Sequence, residues 1–285
     1  MPPIITLTTD FGTSDAFVGV MKGVILGIAP DARIVDLTHE VPPQDVLAGA
    51  YLLRGAAPYF PRGTIHVAVV DPGVGTKRRA LVVATRDAFF VAPDNGLATL
   101  VAQRAAVRGI WDVSRSRARL PVVSRTFHGR DVFAPVAATL ARGAAPDELG
   151  TRLRTMQRLT LPRVRREARR TVGEIIWIDR FGNCISNIRA DDLPHTAGAD
   201  AHARRTSSAA RASRRNARGA FRGRRLSVTI DGHAFPFLDS YADVPAGKPV
   251  ALVNSNDLVE MAVNRGSAAS VLGIGRGARV VVGCD

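Results

Sequence analysis

Strand-like and helix-like stretches alternate through the first 150 residues, and that alternation constrains the fold more than any other feature of the chain. The clearest strand is Thr64–Val70, apolar almost throughout and closed by Asp71-Pro72-Gly73, a turn by composition. Pro3–Thr8 and Ala32–Leu37 read as further strands. Ala16–Ile28 has helical spacing until Pro30 stops it, and Asp45–Tyr59 reads as a helix running into Pro58 and Pro61. Ala80–Thr85 and Ala88–Ala92 read as a strand pair around Arg86-Asp87, while Asn95–Arg104 and Val132–Arg142 look helical. Apolar strands alternating with helices are covered on both faces, so an α/β layered, Rossmann-like domain with a largely buried sheet is expected over residues 1–158.

The character then changes. Val172–Ile178, Leu226–Ile230, Val250–Val253 and Val280–Val282 are short β-branched runs separated by Gly, Asn and Asp turns. They predict a small C-terminal antiparallel β-barrel domain over 172–285, reached through an Arg-rich linker at 159–171. His195–Arg225 holds one large apolar residue, Phe221, and cannot offset its ordering entropy. A disordered insertion is expected there. At 285 residues the chain is long enough to bury a core without metal or disulfide staples.

The formal charge of +14 invites a nucleic-acid or membrane-surface reading until its distribution is considered. Thr151–Arg170 carries +7 and His195–Arg225 carries +8, which leaves −1 for the rest of the chain. The basicity belongs to two Arg tracts, so specific nucleic-acid binding is kept only as an alternative function. Cys184 and Cys284 have no CxxC spacing and read as reduced thiols of a cytoplasmic protein. Ile4-Ile5-Thr6-Leu7-Thr8 follows no basic n-region, so no signal peptide is expected. No stretch reaches 18 uncharged apolar residues, and no membrane span is expected.

Several segments place chemistry-bearing side chains at element ends. Asp10 follows the first strand and Asp15 comes soon after; a carboxylate there points into the crevice where α/β sheets bind ligands, or else caps a helix. Asp71 follows the most apolar strand, with Arg78 and Arg79 able to pair with it and hold it ionised. His128, in Thr126-Phe127-His128-Gly129-Arg130-Asp131, sits before a helix as a candidate base or water-positioning group. Asp10, Asp36, His39 and Asp71 also permit a metal-dependent phosphoesterase reading, although the sequence has no HxH or HxxxH pair. Gly73-Val74-Gly75 lacks the third Gly of a dinucleotide fingerprint, and no GxxxxGK[ST] or GxSxG is present. Phe181 offers a face for a planar ring and Asn183 an amide able to read a base edge.

In combination the chain resembles the S-adenosylmethionine hydroxide adenosyltransferase family, relatives of the fluorinases and chlorinases. The resemblance is carried in order by Thr9-Asp10-Phe11-Gly12 with Asp15, Asp71-Pro72-Gly73-Val74-Gly75, Ala92-Pro93-Asp94-Asn95-Gly96-Leu97, Thr126–Asp131, Asp179-Arg180-Phe181-Gly182-Asn183 and Asn254-Ser255. It implies a homotrimer that takes S-adenosyl-L-methionine between one subunit's N-terminal domain and a neighbour's C-terminal domain, and uses no metal or other cofactor. It further implies that Asp71, Arg78 (or Arg79) and His128 orient and polarise water, with Asp10 on the ribose diol. Phe181, Asn183 and Tyr241 would contact adenine, and Asp179 and Ser255 the methionine end. Asp71 in place of an aromatic, Gly129 in place of a serine, and the lack of a long insertion after Asp87 imply water rather than halide as nucleophile. Asn256-Asp257 departs from the aromatic or Arg that the family pattern implies beside the methionine site.

Overall fold

The computed structural model describes residues 2–194 and 226–284, so the expected insertion at 195–225 lies outside the described residues. The chain divides into two units, residues 1–160 and 161–285.

The first unit is an α/β layer built on one seven-stranded mixed sheet, ordered β2-β1-β3-β5-β4-β6-β7. The strands β1 (Ile4–Thr9), β2 (Arg33–Thr38), β3 (Thr64–Val69) and β5 (Ala88–Pro93) pair in parallel. The strands β4 (Ala80–Thr85), β6 (Val107–Asp112) and β7 (Thr151–Leu153) join through antiparallel pairings. In the β1–β3 register Thr9 lies opposite Val69. The ends of the two strands therefore come out together, and the chain delivers Asp10 and Asp71 to one edge of the sheet, where α/β folds bind ligands.

Helix α1 (Phe17–Ile28) buries Val18, Met21 and Ile25 at helical spacing. Helix α2 (Val46–Ala56) starts where the Asp45 carboxylate accepts from Ala48 N at 3.0 Å, and it continues as a single 3₁₀ turn through Ala57–Tyr59. Helix α3 is Thr99–Arg104, later than the expected start at Asn95. The Asn95 side chain is occupied locally: its amide donates to Val70 O at 2.8 Å and its oxygen accepts from Leu97 N. That Asx-type turn competes with the helix. The expected helix Val132–Arg142 is helix α4 (Ala134–Ala141), preceded by a π-helical turn over Gly129–Phe133. Both lie in the core cluster with α1 and the inner sheet residues Ile5, Leu7, Val67 and Val82.

The second unit is an antiparallel sheet of eight strands, ordered β12-β11-β15-β9-β10-β14-β13 with β8 paired to β9. Its members are β8 (Arg165–Arg166), β9 (Arg170–Ile178), β10 (Cys184–Arg189), β11 (Leu226–Ile230), β12 (His233–Pro236), β13 (Pro249–Val253), β14 (Leu258–Val263) and β15 (Arg279–Cys284). Just past β12, Phe237 bridges to Ala251 of β13 and Leu238 N donates to Ala251 O at 2.8 Å. The two ends of the strand path thus meet, making a nearly closed barrel filled by Ile175, Phe235, Val259, Met261 and Val280. Of the segment 159–171, read from sequence as a linker, Leu161 onward belongs to this unit. Arg165 and Arg166 pair with Val172 and Thr171, so β9 begins at Arg170. Two of the tract's arginines are in ion pairs, Arg166 with Asp192 and Arg170 with Glu167. Among the described residues neither Cys184 nor Cys284 is in a disulfide, and no helix is long and apolar enough to cross a membrane.

Candidate active site

In the first unit, Asp71, Arg78 and His128 come together through two loops that hold each other. After β3 the chain turns at Asp71-Pro72-Gly73-Val74, with Val74 N donating to Asp71 O at 3.2 Å and Thr76 Oγ1 to Gly73 O at 2.7 Å. Gly75 has φ of +76°, and a Cβ there would lie 2.3 Å from the Arg125 carbonyl oxygen. Only glycine satisfies both conditions, and the close approach seats the Asp71 loop on the Ser124–His128 loop.

Within that frame Arg78 Nε lies 2.9 Å and 3.0 Å from the two Asp71 oxygens, and Nη2 also donates to Oδ2. The side chains are 10% and 5% exposed. The same Nη2 lies 2.6 Å from His128 Nδ1, and the guanidinium carbon stands 5.3 Å from the Phe133 ring centroid. Arginine only donates, so Nδ1 must present its lone pair to it, and the proton of the neutral imidazole resides on Nε2. Burial holds the His128 pKa below its ordinary 6.5; Arg78's charge lowers it further, while Asp71, Ser124 and Asp131 oppose. The loop that carries His128 is braced as well. Asp131 is buried, ion-paired to Arg130, and accepts from Ser124 N at 2.7 Å. A Cβ at Gly129 would come within 3.0 Å of Met21 Sδ and 3.1 Å of Phe127, so the glycine lets the backbone next to His128 pack against the Phe11–Phe17–Phe127 cluster.

Arg79 is engaged elsewhere. Its Nε donates to the buried Asp94 at 2.7 Å, and the other Asp94 oxygen accepts from Gln157 N. Arg78 and His128 also line a cavity of about 710 Å³ with Lys77, Arg115 and Arg119.

Asp10 is half-buried, and its Oδ2 accepts from Gln44 N at 2.8 Å. Gln44 adopts φ of +66°, a left-handed conformation unusual for a non-glycine residue and costing on the order of 1–3 kcal/mol. Preceding Asp10, the buried Thr9 bonds His39 Nδ1 at 2.8 Å, and Gly12 N donates to His39 O. Asp15 is exposed. His39 and Asp36 are 3.0 Å apart, and Asp36 pairs with Lys22 at 2.6 Å. Of the phosphoesterase set Asp36 and His39 pair with each other, while Asp10 bonds Gln44 N and Asp71 bonds Arg78; among the described residues no three His, Cys, Asp or Glu side chains gather as metal ligands.

In the second unit the turn after β9 is organised by Asp179. Its Oδ1 accepts from Phe181 N and Asn183 N, both at 2.9 Å, and its Oδ2 from Asn183 Nδ2 at 3.1 Å. Gly182 has φ of +79° and presses on Ser267, where a Cβ would lie 1.9 Å from Oγ. The turn leaves Phe181 75% exposed, an open ring face. Tyr241 is 43% exposed and donates to Glu260 Oε1 at 2.6 Å. Ser255 is exposed in the β13–β14 loop, whose form is set by Asn254: Oδ1 accepts from Asn256 N and Leu258 N, and Nδ2 donates to Glu260 Oε2 at 3.0 Å. Sequence reasoning missed Gln44, whose role is a backbone N–H and leaves no signature in residue type. It also missed Glu260, which did leave one, a lone carboxylate in an apolar strand.

The N-terminal domain model of the SAM hydroxide adenosyltransferases matches residues 5–150, and the C-terminal domain model of that family matches residues 173–281. A protein of Salinispora tropica named (R)-S-adenosyl-L-methionine hydrolase is 38% identical, covering 98% of this chain and 97% of its own. One of Thermus thermophilus with the same name is also 38% identical, over 97% of this chain and 98% of its own. A fluorinase of Nocardia brasiliensis is 27% identical over 94% of this chain and 92% of its own. Among solved structures, an uncharacterized conserved protein from Thermotoga maritima superposes with a TM-score of 0.83 at 34% identity, covering 98% of this chain and 99% of that one.

Proposed function

This chain belongs to the SAM hydroxide adenosyltransferase family, and on that premise we propose that it hydrolyses S-adenosyl-L-methionine to adenosine and L-methionine. The observation that carries the mechanism is the contact set Asp71–Arg78–His128, in which one guanidinium touches both a buried carboxylate and an imidazole.

A sulfonium leaves as a neutral thioether, so the departing sulfur needs no acid. The obstacle is the nucleophile, because water with a pKa of about 15.7 supplies little hydroxide at neutral pH. Water attacks the ribose 5′-carbon; the C–O bond forms, the C–S pair passes to sulfur, and one water proton is released. Of the three side chains, Arg78 has no lone pair and the Nδ1 lone pair of His128 faces Arg78. Asp71 keeps acceptor capacity beyond its contacts with Arg78 and takes the water's hydrogen bond, while Nε2–H of His128 fixes the oxygen. Holding water in line with carbon replaces an entropic cost that in favourable cases reaches about 7–11 kcal/mol.

Asp10, braced by Gln44, holds the ribose diol. Phe181, Asn183 and Tyr241 contact adenine, with Asp179 and Ser255 at the methionine end. For Asp179 and Asn183 the assignment is qualified by geometry, since they bond each other and leave only their remaining lone pairs and protons to a ligand. Asp15, exposed in the loop between β1 and α1, belongs to the same substrate-binding set. The assembly we propose is a homotrimer, tested by light scattering, and the location cytoplasmic, supported by two cysteines that are not joined in a disulfide.

The test is incubation of the purified protein with S-adenosyl-L-methionine and chromatography for adenosine. The (R) and (S) sulfonium epimers are assayed separately because the relatives' names specify the (R) form. Adenosine no higher than in a heat-killed control with either epimer refutes the function. Full turnover by His128→Ala or Asp71→Ala refutes the site.

A further inference from the structure

Strand β14 reads Leu258-Val259-Glu260-Met261-Ala262-Val263, and its single charged residue is 4% exposed. Burial pushes the Glu260 carboxyl pKa up and the charge of Asp179 adds to that, while hydrogen bonds from Tyr241 and Asn254 offset part of it. Among the described residues no cation pairs with it. A buried carboxylate without a cation costs stability, and an apolar side chain of similar volume at such a site is often neutral or stabilising. Packing in the barrel therefore gives no reason for a glutamate here.

The contacts it makes do give one. Oε1 accepts from the Tyr241 hydroxyl at 2.6 Å and Oε2 from Asn254 Nδ2 at 3.0 Å. Tyr241 opens the 3₁₀ turn Tyr241–Asp243, and Asn254 shapes the loop that presents Ser255. One carboxylate thus ties together two surface segments that are separate along the chain. We propose that Glu260 is a positioning residue for the substrate, holding the Tyr241 ring and the Ser255 loop in register so that both ends of the ligand are met at once. This inference rests on the reading of Tyr241 and Ser255 as substrate contacts.

The chemistry of the position separates charge and packing from geometry. Two donors need two acceptors, which a carboxylate supplies. In Glu260→Gln the amide oxygen still accepts from Asn254, and the amide N–H₂ donates to a Tyr241 hydroxyl that has turned its proton away. In Glu260→Met neither contact survives, although the volume is nearly kept.

The experiment measures KM and kcat for adenosine formation, together with the thermal midpoint, in the full-length protein. For Glu260→Met the expected result is KM raised about tenfold, kcat within about threefold and no fall in the midpoint. Glu260→Gln should restore most of the KM. Tyr241→Phe removes one of the same hydrogen bonds and should raise KM, and combined with Glu260→Met it should add little further. Unchanged KM in Glu260→Met, or a loss confined to kcat, overturns the inference. If Glu260→Met does not fold, Tyr241→Phe decides, and an unchanged KM there overturns it. Wild-type protein that forms no adenosine brings down the proposed function and this inference together, whereas wild-type turnover with indifferent variants brings down this inference alone.

Discussion

Arg78→Met and Asp71→Asn should move the titration of His128 in opposite directions. The imidazole is held below 6.5 first by burial and then by Arg78, while Asp71 pulls the other way. Protonation places a hydrogen on Nδ1, directly opposite an Nη2 donor 2.6 Å away. Removing Arg78 takes away that clash and its charge, so the imidazole pKa rises. Removing the Asp71 charge leaves Arg78 unopposed, so it falls. The cost in stability differs as well. Met at position 78 strands a carboxylate whose side chain is 5% exposed, and breaking a buried pair costs about 3–5 kcal/mol. Asn at position 71 still offers Arg78 one oxygen and should cost less, roughly 1.5–3 kcal/mol for a hydrogen bond to a charged group. Both should lower turnover, by about 10²–10⁴-fold. Imidazole NMR titration, with the His128 resonance assigned by its loss in His128→Gln, reads the direction without depending on residual activity. Thermal melts read the cost, and adenosine chromatography the rate. If both variants shift the His128 titration the same way, or Arg78→Met keeps wild-type stability and turnover, the charge arrangement described here is wrong.

Three further expectations follow from other contacts. Arg79→Met should destabilise the first unit by leaving buried Asp94 unpaired, yet leave the His128 titration and kcat near wild type; a fall in kcat matching that of Arg78→Met would reassign the Arg role. Gly182→Ala should destabilise the Asp179 turn by at least about 1–3 kcal/mol, because φ of +79° and the Ser267 contact both oppose a side chain; an unchanged denaturant midpoint would contradict this. His66 is fully buried, stacked on Phe90 and bonded to Thr6, and burial lowers its pKa from 6.5 to about 4. Between those values the unfolded chain binds a proton that the folded state refuses, so stability is full above pH 6.5 and falls by about 3 kcal/mol as pH drops to 4. Denaturant melts across that range should show a smaller drop in His66→Gln, and an equal drop would exclude this group as the cause.

Much of the fold is legible locally. A strand such as Thr64–Val69 is marked by its own apolar side chains and by the Asp-Pro-Gly turn behind it, and a helix such as α1 by a stripe that survives to Pro30. The deviations arise where a side chain has a use that periodicity does not record. Asn95 reads as the start of a helix, but its amide is taken by Val70 O and the turn that results delays α3 to Thr99. The five residues before Ala134 read as loop and helix start, yet they form a π turn that brings His128 to Arg78.

The candidate site divides in the same way. Its residue types were set by the sequence: a carboxylate at the end of an apolar strand, a histidine before a helix, a ring and an amide in a glycine turn. Each is a local signal, because strand ends and turns are local. Which arginine meets Asp71 was decided by tertiary structure, since Arg78 and Arg79 are adjacent and chemically alike, and only the surrounding fold sends one to Asp71 and the other to Asp94. The same holds for the His128 tautomer, for the strained Gln44 N–H under Asp10, and for Glu260 between Tyr241 and Asn254. All depend on distances of about 3 Å between residues that are not neighbours in the chain, and a hydrogen bond exists only at such a distance and angle.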